Sequence, residues 1–208
     1  MATKIIGLSG KKQSGKDTFA QALIDNLGYT RVAFADPLKE MLYALDPLVV
    51  VRTDETGLLR EAGMPAFARG LRYARITMLV DSVGWDGAKQ LHDVRSLLQR
   101  LGTEAGRKVM GESIWVDTAM RRAAEIDGPV VITDMRFPNE KRAVEFAGGW
   151  SVRIERPGLA QDPDAHASET ALDAEVFDFQ VVNGGTVADL QSQAGRIHSY
   201  FDLLLDAA

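Results

Sequence analysis

Apolar residues along this chain change their spacing each time a breaker intervenes, and the changes mark out the elements. Ile5-Ile-Gly-Leu8 is a short apolar run, and beyond the glycines that follow, Phe19, Ala22, Leu23 and Leu27 recur on one helical face. A strand, a tight loop and a helix follow. Gly28 stops that helix, and Tyr29-Thr-Arg-Val-Ala-Phe-Ala35 alternates β-branched and aromatic residues as a second strand. Asp36-Pro37 opens a helix that runs through Leu45, with proline in the first turn. Further on, Val94, Leu97, Leu98, Leu101 and Ala105 share a helical face, and another helix runs roughly from Glu112 to Ile126. Pro129-Val-Val-Ile-Thr-Asp134 is almost wholly apolar, as a central parallel strand buried on both faces must be. A helix from Pro138 ends at Gly148-Gly149, and Trp150–Glu155 and Asp178–Val182 read as two more strands. Val187, Leu190, Ala194, Ile197, Phe201 and Leu204 then form the stripe of a closing helix packed on the sheet.

Strands alternating with helices imply a parallel sheet wound by right-handed crossovers and covered on both faces, a three-layer α/β sandwich. Two stretches stand outside that rhythm. In residues 46–92, Pro47 to Val51 suits an extended segment, Arg52 to Gly70 is polar and glycine-punctuated, and Leu71 to Gln90 has only weak helical periodicity. Arg60, Arg69, Arg72 and Arg75 in this region either face an anionic substrate or, as is commoner, are scattered surface arginines. Residues 156–168 are rich in breakers, which suits a linker or a lid headed by Arg156.

Length and composition narrow the class. A chain of 208 residues suits one domain with an insertion. A formal charge of −5 argues against nucleic-acid or anionic-membrane partners, so an anionic ligand must meet a local cluster of Lys and Arg. The absence of cysteine excludes disulfides, thiolate metal sites and a cysteine nucleophile, and the three histidines, at 92, 166 and 198, lack metal-ligand spacing. With no apolar run long enough for a signal peptide or a membrane span, a cytosolic protein is the simplest expectation.

The chemistry begins at Gly10-Lys-Lys-Gln-Ser-Gly-Lys16, where two glycines flank four residues and a lysine follows. Such a loop lets backbone N–H groups converge on an anion at a helix N-terminus, while Lys16 reaches the outer phosphates. The residue after the lysine is ordinarily Ser or Thr, whose hydroxyl binds Mg²⁺; here it is Asp17, with Thr18 one place later. Either Asp17 holds the metal, directly or through water, or Thr18 does so if the helix starts a residue late. Asp134, at the end of an apolar strand, suits a metal-orienting acid or a capping residue. Asp36 reads equally as an N-cap or as a ligand carboxylate at a strand end.

Taken together, Leu8–Thr18, Phe34-Ala-Asp-Pro-Leu-Lys39, Val94–Glu104, Ile114-Trp-Val116, Ile132–Glu140 and His166-Ala-Ser-Glu169 resemble the deoxynucleoside monophosphate kinases of bacteriophages. Asp after the loop lysine is normal in that family. The resemblance implies a phosphate-loop (P-loop NTPase) fold with five parallel strands in the order 2-3-1-4-5, an acceptor-side insertion at 46–92 and a lid. It implies phosphoryl transfer from ATP, with Mg²⁺, to a deoxynucleoside 5′-monophosphate in a cytoplasm, that of the host for a phage-encoded chain. By motif position, Gly10, Lys12, Ser14, Gly15, Lys16, Asp17 and Thr18 would take the donor phosphates and metal, and Asn183 would lie near the donor adenine. Asp36, Lys39, Arg95, Gln99, Thr103, Trp115, Asp134 and Arg136 would surround the acceptor, with Arg95 and Arg136 on its phosphate and Arg156 arriving with the lid. The rival readings are a related kinase acting on a coenzyme precursor or a ribonucleoside monophosphate, and a nucleotide-dependent switch. Base preference, ATP against GTP, and monomer against homodimer stay open.

Overall fold

A computed structural model describes residues 4–52, 55, 57, 73–159 and 170–206. Its strands are β1 (Ile5–Ser9), β2 (Thr30–Val32), β3 (Leu48–Val50), β4 (Tyr73–Arg75), β5 (Val130–Ile132), β6 (Trp150–Glu155) and β7 (Phe179–Val182). Its helices are α1 (Lys16–Leu27), α2 (Asp36–Leu45), α3 (Ile76–Ala88), α4 (His92–Arg100), α5 (Ile114–Glu125), α6 (Pro138–Phe146) and α7 (Val187–Asp206). Leu101–Met110 continues from α4 as a π-helix. The chain forms two compact units, one of residues 1–34 and 116–208, the other of residues 35–115.

In the first unit, five strands pair in parallel in the order β2-β5-β1-β6-β7, which counted among themselves is 2-3-1-4-5. β1 lies at the centre and all five of its residues are buried. Its side chains alternate between two cores, as the period of a strand requires. Ile6 and Leu8 join Phe19 and Leu23 of α1 and Leu190, Ala194 and Phe201 of α7 on one face. Ile5 joins Val116, Ala119 and Ala123 of α5 and Val144 of α6 on the other. Gly7 belongs to this second face, where a Cβ would meet Met135 Sδ at 2.9 Å and Val144 at 3.1 Å. Two buried faces explain the unbroken apolar runs of β1 and β5, and the three layers follow. Among the described residues, no helix is long and apolar enough to cross a membrane.

Three boundaries differ from the sequence pattern, each for a local reason. The second strand ends at Val32 rather than Ala35, because the Phe34 N–H turns to the Asp134 carboxylate at 2.8 Å and leaves the ladder. The last strand begins at Phe179, since the Asp178 carboxylate takes the Ser151 N–H at 2.8 Å and its hydroxyl at 2.7 Å. Helix α2 has Ala35 at its N-cap position, so Asp36 is already helical and does not cap by side chain.

The second unit has its own core of Leu42, Val49, Val51, Ala74, Ile76, Leu79, Ala88, Leu91 and Val94. β3 and β4 pair antiparallel there, Val49 opposite Ala74, and α3 is broken at Gly84, whose φ of 67° and ψ of 175° no helix contains. Leu97, Leu98 and Leu101 pack against this core, but Ala105 is exposed and Gly106 is buried in its place. The π-winding accounts for the shift, because its repeat closes five residues on from Leu101 rather than four.

Candidate active site

The phosphate loop runs from the end of β1 to the start of α1. Gly10 and Gly15 have φ of 157° and 98°, and Gln13 between them takes φ 65°, a left-handed conformation for a residue with a side chain. The Ser14 N–H donates to Lys11 O at 3.1 Å, so the loop closes on itself before the helix starts. Neither glycine has room for a Cβ. At Gly10 it would lie 2.6 Å from Ile154 O, and at Gly15 it would lie 2.4 Å from Asn183 Nδ2. Helix α1 starts at Lys16 directly after Gly15, which is not the late start that would favour Thr18. Lys16 Nζ donates to Asp17 Oδ1 at 2.7 Å, and the Asp17 side chain is 93% exposed. Thr18 is half-buried and Lys12 exposed. Ser14 is buried, and its hydroxyl has no hydrogen-bond partner among the described residues.

Asn183, expected beside the donor base, is bound to the loop itself. Its Nδ2 donates to Ser14 O at 2.8 Å, while its own N–H donates to Glu155 O at 2.7 Å. The residue after β7 thereby ties the loop to the end of β6. Gly15→Ala is expected to break this tie, forcing a side chain into a left-handed position and displacing the Asn183 amide. The expected loss is about 2 kcal/mol of folding stability, read as a lower urea midpoint at unchanged slope.

Asp134 lies just past the carboxyl end of β5. Thr133 N donates to Val32 O and Met135 N to Leu8 O, so the acid sits between the exits of β2 and β1. Its Oδ1 accepts the Phe34 N–H at 2.8 Å, which is a structural use of one oxygen. Arg136 is exposed in the turn that follows. That turn is fixed by buried Glu140, whose Oε2 accepts the N–H groups of Arg136 at 2.6 Å and Phe137 at 3.0 Å.

A cavity of about 380 Å³ opens beside the loop, lined by Lys11, Ser14, Arg153, Glu155, Arg156 and Leu159, with Asp173. Arg156 therefore shares a surface with the phosphate loop. Lys11 and Arg153 went unnoticed in the sequence. Arg153 donates to Leu172 O at 2.7 Å and to Asp173 Oδ1 at 2.5 Å, and Lys11 Nζ lies 3.7 Å from the other Asp173 oxygen. Only an alternating polar position in β6 and a second lysine in the loop hinted at either. Residues 160–168 of the expected lid, His166–Glu169, and Arg60, Arg69 and Arg72 lie outside the described residues.

In the second unit, Arg95, Gln99 and Thr103 recur every fourth residue and all three are exposed. Asp36 and Lys39 face each other one turn apart in α2, with Oδ1 3.8 Å from Nζ. Trp115 is 6% exposed, and its indole N–H donates to Gly102 O at 2.8 Å. A Cβ on Gly106 would sit 2.3 Å from its ring, so that surface of the indole is occupied. Arg75 is exposed and paired with Asp46, its Nη1 donating to Asp46 O at 2.8 Å. The backbone N–H of Thr77, helped by its hydroxyl and by Arg75, keeps the Asp46 carboxyl below its ordinary value.

A strand, a glycine-bounded anion loop and a helix at the centre of a 2-3-1-4-5 sheet suit many phosphotransferases. The family model for deoxynucleotide monophosphate kinases matches residues 4–62 and 71–194, through both units. The chain belongs to the deoxynucleotide monophosphate kinase family. It is accordingly an enzyme of phosphoryl transfer to a deoxynucleoside monophosphate. A protein of Acanthamoeba polyphaga mimivirus, provisionally described as a deoxynucleotide monophosphate kinase, is 30% identical over 91% of this chain and 93% of its own. The deoxynucleoside-5′-monophosphate kinase of Escherichia phage T5 is 29% identical over 65% of this chain and 69% of its own. The deoxynucleotide monophosphate kinase of Enterobacteria phage T4 is 24% identical over 91% and 96%. Among solved structures, dephospho-CoA kinase from Campylobacter jejuni superposes with a TM-score of 0.44 at 13% identity, covering 97% of this chain and 98% of that one. The kinase reading thus rests on the family match and on the loop, each reached separately.

Proposed function

We propose that this kinase uses ATP with Mg²⁺ as donor, and that the residues above divide the work between the two units. In the first unit, the loop from Gly10 to Gly15, with Lys12 and Ser14, cradles the donor phosphates on its N–H groups. Lys16 leaves Asp17 to neutralise the β- and γ-phosphates. Arg136 grips the acceptor phosphate, and Arg156, beside the loop cavity, adds charge as residues 156–168 act as a lid. Asn183 serves the donor by holding the loop. In the second unit, Arg95, Gln99 and Thr103 form an acceptor-binding row, with Asp36 and Lys39 on the neighbouring helix. Trp115 supports that row through Gly102 and Gly106, and residues 46–92 form the acceptor side of what works as a single kinase domain.

An acceptor phosphate oxygen is nucleophilic at neutral pH, so no protein base is required. It attacks the γ-phosphorus in line, the bond from that phosphorus to the β-phosphate oxygen breaks, and ADP leaves with a nucleoside diphosphate as product. What the protein supplies is alignment of two polyanions and offset of their charge.

The metal fits this arrangement in a particular way. Among the described residues, no three acidic or histidine side chains gather into a cage. Mg²⁺ is ordinarily held by one or two protein groups plus phosphates and water, and exposed Asp17, with Thr18 and Asp134, can provide those. When bound, the ion offsets charge on the donor phosphates.

The observation that carries the proposal is the loop: two glycines without room for a Cβ, at the N-terminus of α1, with Lys16 in the first turn. The test is ADP formation with ATP and a panel of ribo- and deoxynucleoside monophosphates. Deoxy acceptors are expected to be preferred by kcat/KM. Equal use of both sugars would remove the deoxy preference, and ADP formation indifferent to every acceptor would favour a nucleotide-dependent switch.

A further inference from the structure

We propose that Glu55 is a positioning residue for the acceptor, setting the helix that carries Arg95 and Gln99, with Thr103 in the π-winding that continues it. The inference rests on the reading of that row as acceptor-binding.

Glu55 is only 8% exposed, an unusual place for a carboxylate without a task. Its Oε1 accepts the N–H of His92, the first residue of α4, at 2.7 Å. Its Oε2 accepts the Arg52 N–H at 3.0 Å, and its own N–H returns to Arg52 O at 3.0 Å. A helix N-terminus usually takes such an acceptor from its own N-cap residue. Here that residue is Leu91, fully buried in the core of the unit and with no side-chain oxygen to offer. The acceptor therefore comes from a turn 37 residues earlier in the chain.

A second carboxylate makes the same join in the opposite direction. Asp93 in the first turn of α4 accepts the Val50 N–H of β3 at 2.7 Å. Two carboxylates thus fasten the start of α4 to Val50 and, through Glu55, to Arg52, and Val49, Val51, Leu91 and Val94 fill the core below. Arg95 stands two residues past Asp93, and Gln99 one turn further. A local cap would stabilise the helix equally well, but it would not fix the direction of the helix against β3. The remote cap does both, and a carboxylate suits it because its charge meets N–H groups and the positive end of the helix.

The test is steady-state kinetics and thermal unfolding of Glu55→Gln, Asp93→Asn, Arg95→Ala and the Glu55→Gln, Arg95→Ala pair, with ATP and the best deoxy acceptor. Glu55→Gln is expected to raise the acceptor KM about tenfold while the KM for ATP stays within about twofold. In the Arg95→Ala background it should add less than about twofold, since the two would act through one contact. Asp93→Asn should move the acceptor KM in the same direction, and it decides the matter if Glu55→Gln does not fold. A lower unfolding temperature with an unchanged acceptor KM would reduce Glu55 to a helix cap and overturn the inference, as would an equal rise for ATP. Full additivity with Arg95→Ala would overturn it too. In all three cases an acceptor effect of Arg95→Ala would leave the underlying reading standing, whereas a silent Arg95→Ala would overturn both.

Discussion

Lys16→Ala is expected to lower kcat by about a hundredfold or more with the fold unchanged. The Lys16 side chain is only 18% exposed, but it belongs to none of the apolar cores and its ammonium contacts Asp17, which is 93% exposed, so its loss empties no core. Its contribution is reserved for the donor phosphates, where charge shifts toward the leaving oxygen as transfer proceeds. Interactions that strengthen in the transition state appear in kcat rather than in ground-state binding. The check is single-turnover transfer beside a denaturation curve. Near-normal turnover from a folded variant would mean that the loop does not hold the donor.

Arg136→Ala should act on the other substrate, raising the acceptor KM by on the order of a hundredfold while leaving the KM for ATP nearly unchanged. Glu140 accepts its N–H and that of Phe137, so the exposed Arg136 projects from a fixed turn rather than a loose one. Arg136→Lys is expected to restore only part of the loss, because an ammonium cannot reproduce the two-pronged contact with a phosphate. Equal effects on both KM values would instead place Arg136 in general charge balance.

The parts of this fold that were legible in the sequence are those where burial is complete and local. β1 and β5 read as unbroken apolar runs because they are buried on both faces, and α7 read as a stripe because one face covers the sheet. The phosphate loop was legible because its glycines answer to backbone conformation and to contacts that forbid a Cβ. Of the hairpin only the extended stretch at Pro47 to Val51 was legible, and its pairing with β4 was not, since both strands are three residues each and Leu48 and Val50 are exposed. Gly84 similarly interrupts α3 before a stripe can develop. Around the candidate site, the sequence pointed to charged residues that sit in motifs, whereas Lys11, Arg153, Asp173 and Glu55 drew no notice. Their partners lie far along the chain, and spacing in a sequence carries no trace of a join between residue 55 and residue 92.

The π-winding of residues 101–110 has a consequence for how this chain tolerates changes of length. Each of its turns holds more residues than an α-turn, so the segment stores slack in the chain. Deleting one residue there would let a turn tighten toward α geometry while α4 and the start of α5 keep their places. Deleting one between His92 and Arg95 would instead rotate Arg95 and Gln99 by about 100° relative to the clamped first turn. Length can therefore be gained or lost in the far end of that segment, beyond Thr103 and Gly106, without turning Arg95 and Gln99 away from their work.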